Sequence, residues 1–217
     1  MGDFYSRLIT QYCERSGNGF LSEPFNTLSS FAIIASAYFI YRLLKKHQIK
    51  SFNYWFLFIM LLLAGIGSVL WHSFRNPIAL AIDAIPVYTF FFTFLYLLLA
   101  RLTKSKIRTV ILLVGFFAVQ VLATIVFPTF LNGTIRHFVN GIFVLGLLVW
   151  LHNRYKNLNR DLLTAFLLYI LAIIFRSIDN SACSIFPVGT HFLWHILNAT
   201  ASYFAIRGLI RINSSSK

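Results

Sequence analysis

The sequence predicts an all-α membrane protein, a seven-transmembrane helix bundle with the N-terminus outside or lumenal and the C-terminus cytoplasmic. Three observations predict it. The 217 residues are 58% hydrophobic and only 12% charged, with a mean hydropathy of +0.73, too apolar for a soluble domain. Runs of the bilayer-crossing length, about 20 residues, occupy 24–43, 53–72, 78–100, 107–127, 134–151, 162–179 and 189–209. Fourteen of the 19 Lys and Arg lie in 41–52, 101–108, 152–161 and at the C-terminal end, which seven crossings put on one side. The other side holds Arg7, Arg15, Arg75, Arg136 and Arg176. The excess of basic residues marks the cytoplasmic side. The net charge of +13 therefore reports orientation, and nucleic acid is not an expected partner.

The runs use most of the chain, so residues 1–217 read as a single seven-transmembrane domain: an outside segment over 1–23, a bundle over 24–209 and a cytoplasmic tail over 210–217. Residues 1–20 lack the apolar core of a cleavable signal, which leaves the first crossing as the insertion signal. Asn213 to Lys217 reads as a disordered end.

The outside segment carries Cys13, Glu14 and Glu23, with a turn at Gly17-Asn18-Gly19. The first crossing opens at Glu23-Pro24-Phe25-Asn26-Thr27, a polar entry that lipid would reject, so Asn26 is expected to face the interior. The second carries Ala64, Gly65, Gly67 and Ser68, small residues that permit close approach, and then His72. Asn76-Pro77 reads as an N-cap with proline at the first helical position, placing Asp83 under two turns inside the third helix and Pro86 at a bend. The fourth and fifth crossings are separated by Pro128 and Asn132-Gly133, and spacing does not join the Arg136-His137 pair to the other polar residues. The sixth ends at Arg176-Ser177-Ile178-Asp179, where Arg176 and Asp179 are placed to pair at i, i+3. A loop with Cys183 leads to His191 and His195, which share one face of the seventh helix.

Parity gives Ser68, His72, Asp83, His191 and His195 the same depth, near the outer surface. An ionisable side chain in an apolar run costs a few kcal/mol and is usually kept for function. Three neutral imidazoles leave one position open on a tetrahedral zinc, the ligand count of a hydrolytic site. Asp83 then reads as the proton acceptor and donor, and Ser68 as a hydrogen-bond donor to the developing oxyanion. Two histidines clamping a haem iron is the alternative metal reading, and it leaves the third histidine and the aspartate without work. A lipid receptor or lipid-binding protein with a structural zinc, and a transporter with a proton relay, are the rival functions. Cys13 and Cys183, the two cysteines, both fall on the oxidising side and are expected to form a disulfide.

Tyr12-Cys13-Glu14, Glu23-Pro24-Phe25-Asn26-Thr27, the segment from Gly67-Ser68 to His72, Ile82-Asp83-Ala84-Ile85-Pro86, Ile178-Asp179-Asn180 with Cys183, and His191 to His195 with Ser202-Tyr203 carry a resemblance over nearly the whole chain. The pattern resembles the alkaline ceramidase family, within a wider group of seven-helix membrane hydrolases that includes the progestin and adiponectin receptors. The resemblance implies an amidase that cuts the N-acyl amide of ceramide to a sphingoid base and a fatty acid. It matches His72, His191 and His195 to the zinc ligands and Ser68 and Asp83 to the assisting pair. It also implies a calcium site in which Glu14 and Glu23 match carboxylate ligands and Tyr12 a backbone ligand. Gln11 stands where that site has an aspartate and Ser16 where it has an asparagine, so this segment has lost an anionic ligand. Ala84 stands where the family commonly has a glutamate. The short loops and the altered segment point to a bacterial inner membrane with the site near the periplasm, an endoplasmic reticulum or Golgi membrane being the alternative.

Overall fold

The computed structural model describes residues 12–15, 17, 20–156 and 159–214. Among these are seven helices and no strand: α1 Pro24–Lys46, α2 Phe52–Phe74, α3 Pro77–Thr103, α4 Lys106–Val126, α5 Ile135–Tyr155, α6 Arg160–Ala182 and α7 His191–Ser214. The helices outrun the apolar runs by a few residues at most ends, because backbone pairing continues into the interface after the side chains turn polar. Residues expected as a tail from 210 belong to α7 as far as Ser214, and 215–217 lie outside the described residues. So do Asn18 and Gly19 of the expected turn.

Six helices, α1 to α6, are long and apolar enough to cross a membrane. The chain is thus an all-helical, multi-pass membrane bundle. The seventh apolar run of the sequence corresponds to α7, which is 24 residues long but carries His191, His195 and Asn198 in its first half.

Each helix packs against the next in the chain and α7 returns to α1, so the seven close a ring. Packing is closest among α6, α7, α1, α2 and α3, while α4 and α5 touch their neighbours more lightly. Helix faces are sorted as lipid requires. On α4, Ile107, Ile111, Val114, Val121 and Ile125 are exposed, while Thr109 and Gln120 are buried. On α1, Leu28, Phe31 and Phe39 point out, and Asn26, Thr27, Ser30 and Ser36 point in. Ser36 bonds across helices, donating to the Ala199 carbonyl of α7 at 2.6 Å.

Two backbone features fix the end that holds Glu23, Asn76 and His191. Gly67 lies where α2 meets α3, and a Cβ there would overlap the Ile82 carbonyl and the Asp83 backbone. The bare glycine is what lets the turn carrying Asp83 lie against the turn carrying Ser68 and His72. Between α2 and α3, Arg75 caps α2 in the left-handed conformation (φ 46°), donating its N–H to the Trp71 carbonyl at 3.0 Å. That conformation costs a side-chain-bearing residue about 1–2 kcal/mol. Asn76 follows as the N-cap of α3 and accepts from the Ala79 N–H at 2.9 Å, as its sequence predicts. At the other end, Asp161 of α6 pairs with Arg207 at 2.6 Å and Arg211 at 2.7 Å of α7.

Candidate metal centre and lipid cavity

Helix geometry places the three histidines. His72 lies one turn beyond Ser68 on α2, and His191 opens α7 with His195 one turn further on. All three are at most 3% exposed. Their candidate ligand atoms lie within 4.8 Å of one another, so the trio can hold a metal ion.

The outer partners decide which ring nitrogen is free. Nδ1 of His72 meets Oε2 of Glu23 at 2.6 Å, and this carboxylate can only accept from it, which leaves Nε2 with its lone pair. Ser29 donates its hydroxyl to the Asn26 carbonyl at 3.1 Å and therefore accepts from Nδ1 of His195 at 2.8 Å, again leaving Nε2 free. His191 is stacked on the Tyr12 ring at 3.9 Å. Nη1 of Arg176 lies 3.4 Å from its Nδ1, too far to fix a tautomer as the other two contacts do. A carboxylate behind a ligating histidine is the usual support of a metal site. The residues fit a metal held by three neutral imidazoles.

Glu23 is the hub of that support. It is fully buried, and it accepts from Nη1 of Arg15 at 3.0 Å, Nε of Arg75 at 2.5 Å and Nδ2 of Asn26 at 3.3 Å as well as from His72. Burial alone would raise its pKa, but the hydrogen bond from His72 and the Arg75 guanidinium hold it below the usual carboxylate range. The Arg75 guanidinium also lies over the rings of Trp71 at 4.3 Å and Tyr12 at 4.6 Å, contacts that offset its strained backbone.

Asp179 differs from its expected pairing with Arg176. Its carboxylate accepts from the backbone N–H groups of Thr190 at 2.6 Å, His191 at 2.9 Å and Cys13 at 3.2 Å. It thus caps the start of α7, where unpaired amides would be costly, and so fixes where His191 begins. Arg176 donates instead to the Tyr12 hydroxyl at 3.2 Å. Cys13 and Cys183 are joined by a disulfide beside this cap. Gly189 (φ 69°) packs against Cys13 and the Asp179 carboxylate, leaving no room for a Cβ.

The calcium ligands suggested by the resemblance do not fit that ion as arranged. Both oxygens of Glu23 are taken by cations and an amide, and both oxygens of Glu14 accept backbone N–H groups of Phe25 and Asn26 at the start of α1. The Tyr12 carbonyl accepts from the Arg15 N–H at 3.3 Å. Calcium favours six to eight free oxygen ligands. Gln11 and Ser16 lie outside the described residues. The thermal midpoint of the purified protein is therefore expected to be unchanged between millimolar calcium and EGTA. A rise of several degrees with calcium would show that Glu14 and Glu23 rearrange to bind it.

Inside the ring lies a cavity of about 500 Å³. Ser68, Asp83 and the three histidines line one end. Phe94, Leu98, Leu148 and Leu162 line it deeper in the bundle. From Asp83 to Leu98 along α3 is roughly 22 Å at about 1.5 Å per residue, the length of a long acyl chain. Asp83 makes no hydrogen bond to another described residue. Ser68 is committed: Ser30 donates to the Asn26 carbonyl at 2.7 Å, so the 2.9 Å contact between the serines has Ser68 donating to Ser30.

Sequence spacing set Arg136 and His137 apart, but the structure brings both to the cavity wall, because closure of the ring carries the start of α5 round to face α7. The His137 ring lies 4.6 Å from that of Trp194, and the Tyr169 hydroxyl is 3.4 Å from His137 Nδ1 and accepts from Asn140 at 3.2 Å. Ser29, Ser30 and Arg15 were also missed. The serines' only sequence signal was position, since Ser29 and Ser30 follow Asn26 by three and four residues on the same face of α1, and Arg15 carried none.

A sequence model of the ceramidase family, described as Ceramidase, matches residues 10–217. The chain belongs to the ceramidase family. None of the curated proteins compared with it matches significantly. Membership gives this ceramidase-family chain a lipid amide as its general class of substrate, and all three metal-ready histidines lie inside the matched span.

Proposed function

We propose that the protein is a zinc-dependent intramembrane amidase that hydrolyses the N-acyl amide of ceramide or a similar long-chain lipid amide, releasing a sphingoid base and a free fatty acid. The observation that carries this is the arrangement at one end of an apolar, acyl-length cavity: three buried imidazoles and a carboxylate, Asp83, that bonds no other described residue. His72, His191 and His195 would hold the zinc. Bound there, zinc supplies Lewis-acid activation of water and of the amide carbonyl near neutral pH.

The chain's own residues do the rest. The cavity takes the acyl chain and excludes water along its length, which fixes the amide at the polar end. Asp83 accepts the proton of the attacking water and returns it to the amine nitrogen as the C–N bond breaks. The water oxygen and one of its protons end in the fatty acid and the other proton, carried by Asp83, in the amine, so the reaction balances without another reagent. Ser68 donates to the carbonyl oxygen once its hydroxyl turns from Ser30. Removing one such donor costs about 10²–10³ in turnover, and Ser68→Ala is expected at the low end because its proton must first leave Ser30. An unchanged rate would make Ser68 a packing residue.

We further propose that the site end faces the periplasm or lumen and the C-terminus the cytoplasm, in a bacterial inner membrane. Lys45, Lys46, Arg101 and Arg154 stand in the last turns of their helices at the end opposite the site, and the Cys13–Cys183 disulfide is at the site end, where an oxidising compartment would preserve it. A C-terminal GFP fusion should fluoresce and a C-terminal alkaline phosphatase fusion should be inactive. The reverse pair of results would invert the topology.

The test of the function is hydrolysis of a labelled ceramide by the purified protein. Release of the fatty acid supports it. Stoichiometric zinc without hydrolysis of any long-chain amide would instead favour a lipid-binding protein with a structural metal.

A further inference from the structure

Besides the histidines, the cavity wall carries three charged residues near its polar end, Asp83, Arg136 and Arg176. Asp83 supplies one negative charge against the two arginines, and the other described carboxylates near this end are committed elsewhere. Glu23 serves Arg15, Arg75 and His72; Asp179 caps α7; Glu14 caps α1. Among the described residues neither Arg136 nor Arg176 forms an ion pair, and a site that also holds a dication is then strongly positive.

Arg176 is only 6% exposed. Its guanidinium lies over the rings of Trp194 at 5.3 Å and Tyr12 at 5.7 Å, and that of Arg136 over the Tyr88 ring at 5.7 Å. Stacking covers a guanidinium face and leaves its N–H edge for a ligand. Nε of each arginine is buried without a hydrogen-bond partner. A buried cation without an anion is costly in a low-dielectric interior, and guanidinium is the side chain best shaped to grip a carboxylate.

We propose that Arg176 and Arg136 form a subsite for the carboxylate of an anionic amphiphile, beside the metal centre at the polar end of the cavity. As a substrate subsite it rests on the lipid-amidase reading. It extends that reading to lipid amides with an acidic group on the amine portion, such as N-acyl amino acids. The fatty acid product carries the same chemistry and would use the same arginines from the acyl side.

Matched probes separate these sources. Dissociation constants are measured for N-hexadecanoylglycine against N-hexadecanoylethanolamine, and for hexadecanoate against hexadecanol. The protein is zinc-loaded Asp83→Asn, to suppress turnover, with Arg176→Gln, Arg176→Lys or Arg136→Gln added. The acidic member of a pair should bind about tenfold more tightly, the size expected of one charge-assisted hydrogen bond. Arg176→Gln should remove the preference, Arg136→Gln should reduce it and Arg176→Lys should keep most of it, with the neutral probes unchanged. A preference in the amide pair assigns the subsite to the substrate, and one confined to hexadecanoate assigns it to the product. Equal binding within both pairs overturns the proposal. So does a preference that survives both glutamine variants, since the metal alone would then hold the anion. Failure of the hydrolase reading shows differently, as absent product release from the wild type with probe binding intact.

Discussion

Replacing His72, His191 or His195 by alanine is expected to remove both the bound zinc and all ceramide hydrolysis, while leaving the protein folded in detergent. Each ring supplies one of three nitrogens, and two ligands rarely retain a catalytic zinc. The alanine variants also lose the partner of a buried group: His72→Ala leaves one Glu23 oxygen without its imidazole, and His195→Ala frees Ser29. His72→Ala should therefore be the least stable of the three. Glu23→Gln tests the support. It keeps the metal ligands but weakens the orienting bond, and such changes cost about 10–100-fold in metal affinity or activity. His47→Ala and His152→Ala, both exposed at the basic end, should change neither zinc nor rate. Metal content by mass spectrometry and a thermal scan read all of these together. Equal losses in all five alanine variants would indicate general misfolding.

Asp83→Asn is expected to keep zinc at one per chain and to lower turnover by about 10²–10⁴, the usual share of a general acid–base group. Asparagine has the same shape and keeps the Gly67 contact with the Asp83 backbone, so stability should hold. If Asp83 acts in proton transfer alone, the fall should be in kcat with KM little changed. Retained turnover would remove Asp83 from the mechanism. Loss of zinc in this variant would make it a ligand or a fold determinant instead.

Much of this site was legible in the sequence because a membrane simplifies the problem. An apolar run makes each buried polar residue conspicuous, and parity of crossings assigns it a depth, so His72, Asp83, His191 and His195 stood out as a group. Asn76-Pro77 announced the start of α3 for local steric reasons, and the structure has it as the cap. What one sequence could not give was the order of helices around the ring. Arg136 and His137 reach the cavity only because α7 closes onto α1 and α5 faces inward, which no spacing along the chain reports. Local pairing rules also misled. Arg176 and Asp179 are the right distance apart for an i, i+3 pair, but the amides opening α7 compete for the carboxylate and take it. Glu23 was read through the resemblance as a calcium ligand. The structure gives its oxygens to two arginines, a histidine and an amide, and Arg15, one of the two, carried no motif of its own.

The most direct test removes the metal from the purified wild-type protein and returns it. Zinc-free protein, prepared with a chelator and shown to be folded by its thermal transition, is given ceramide labelled in the acyl chain. The expected result is no release of labelled fatty acid, full release after one equivalent of zinc, and no restoration by calcium. Undiminished hydrolysis by the folded, zinc-free protein would contradict it.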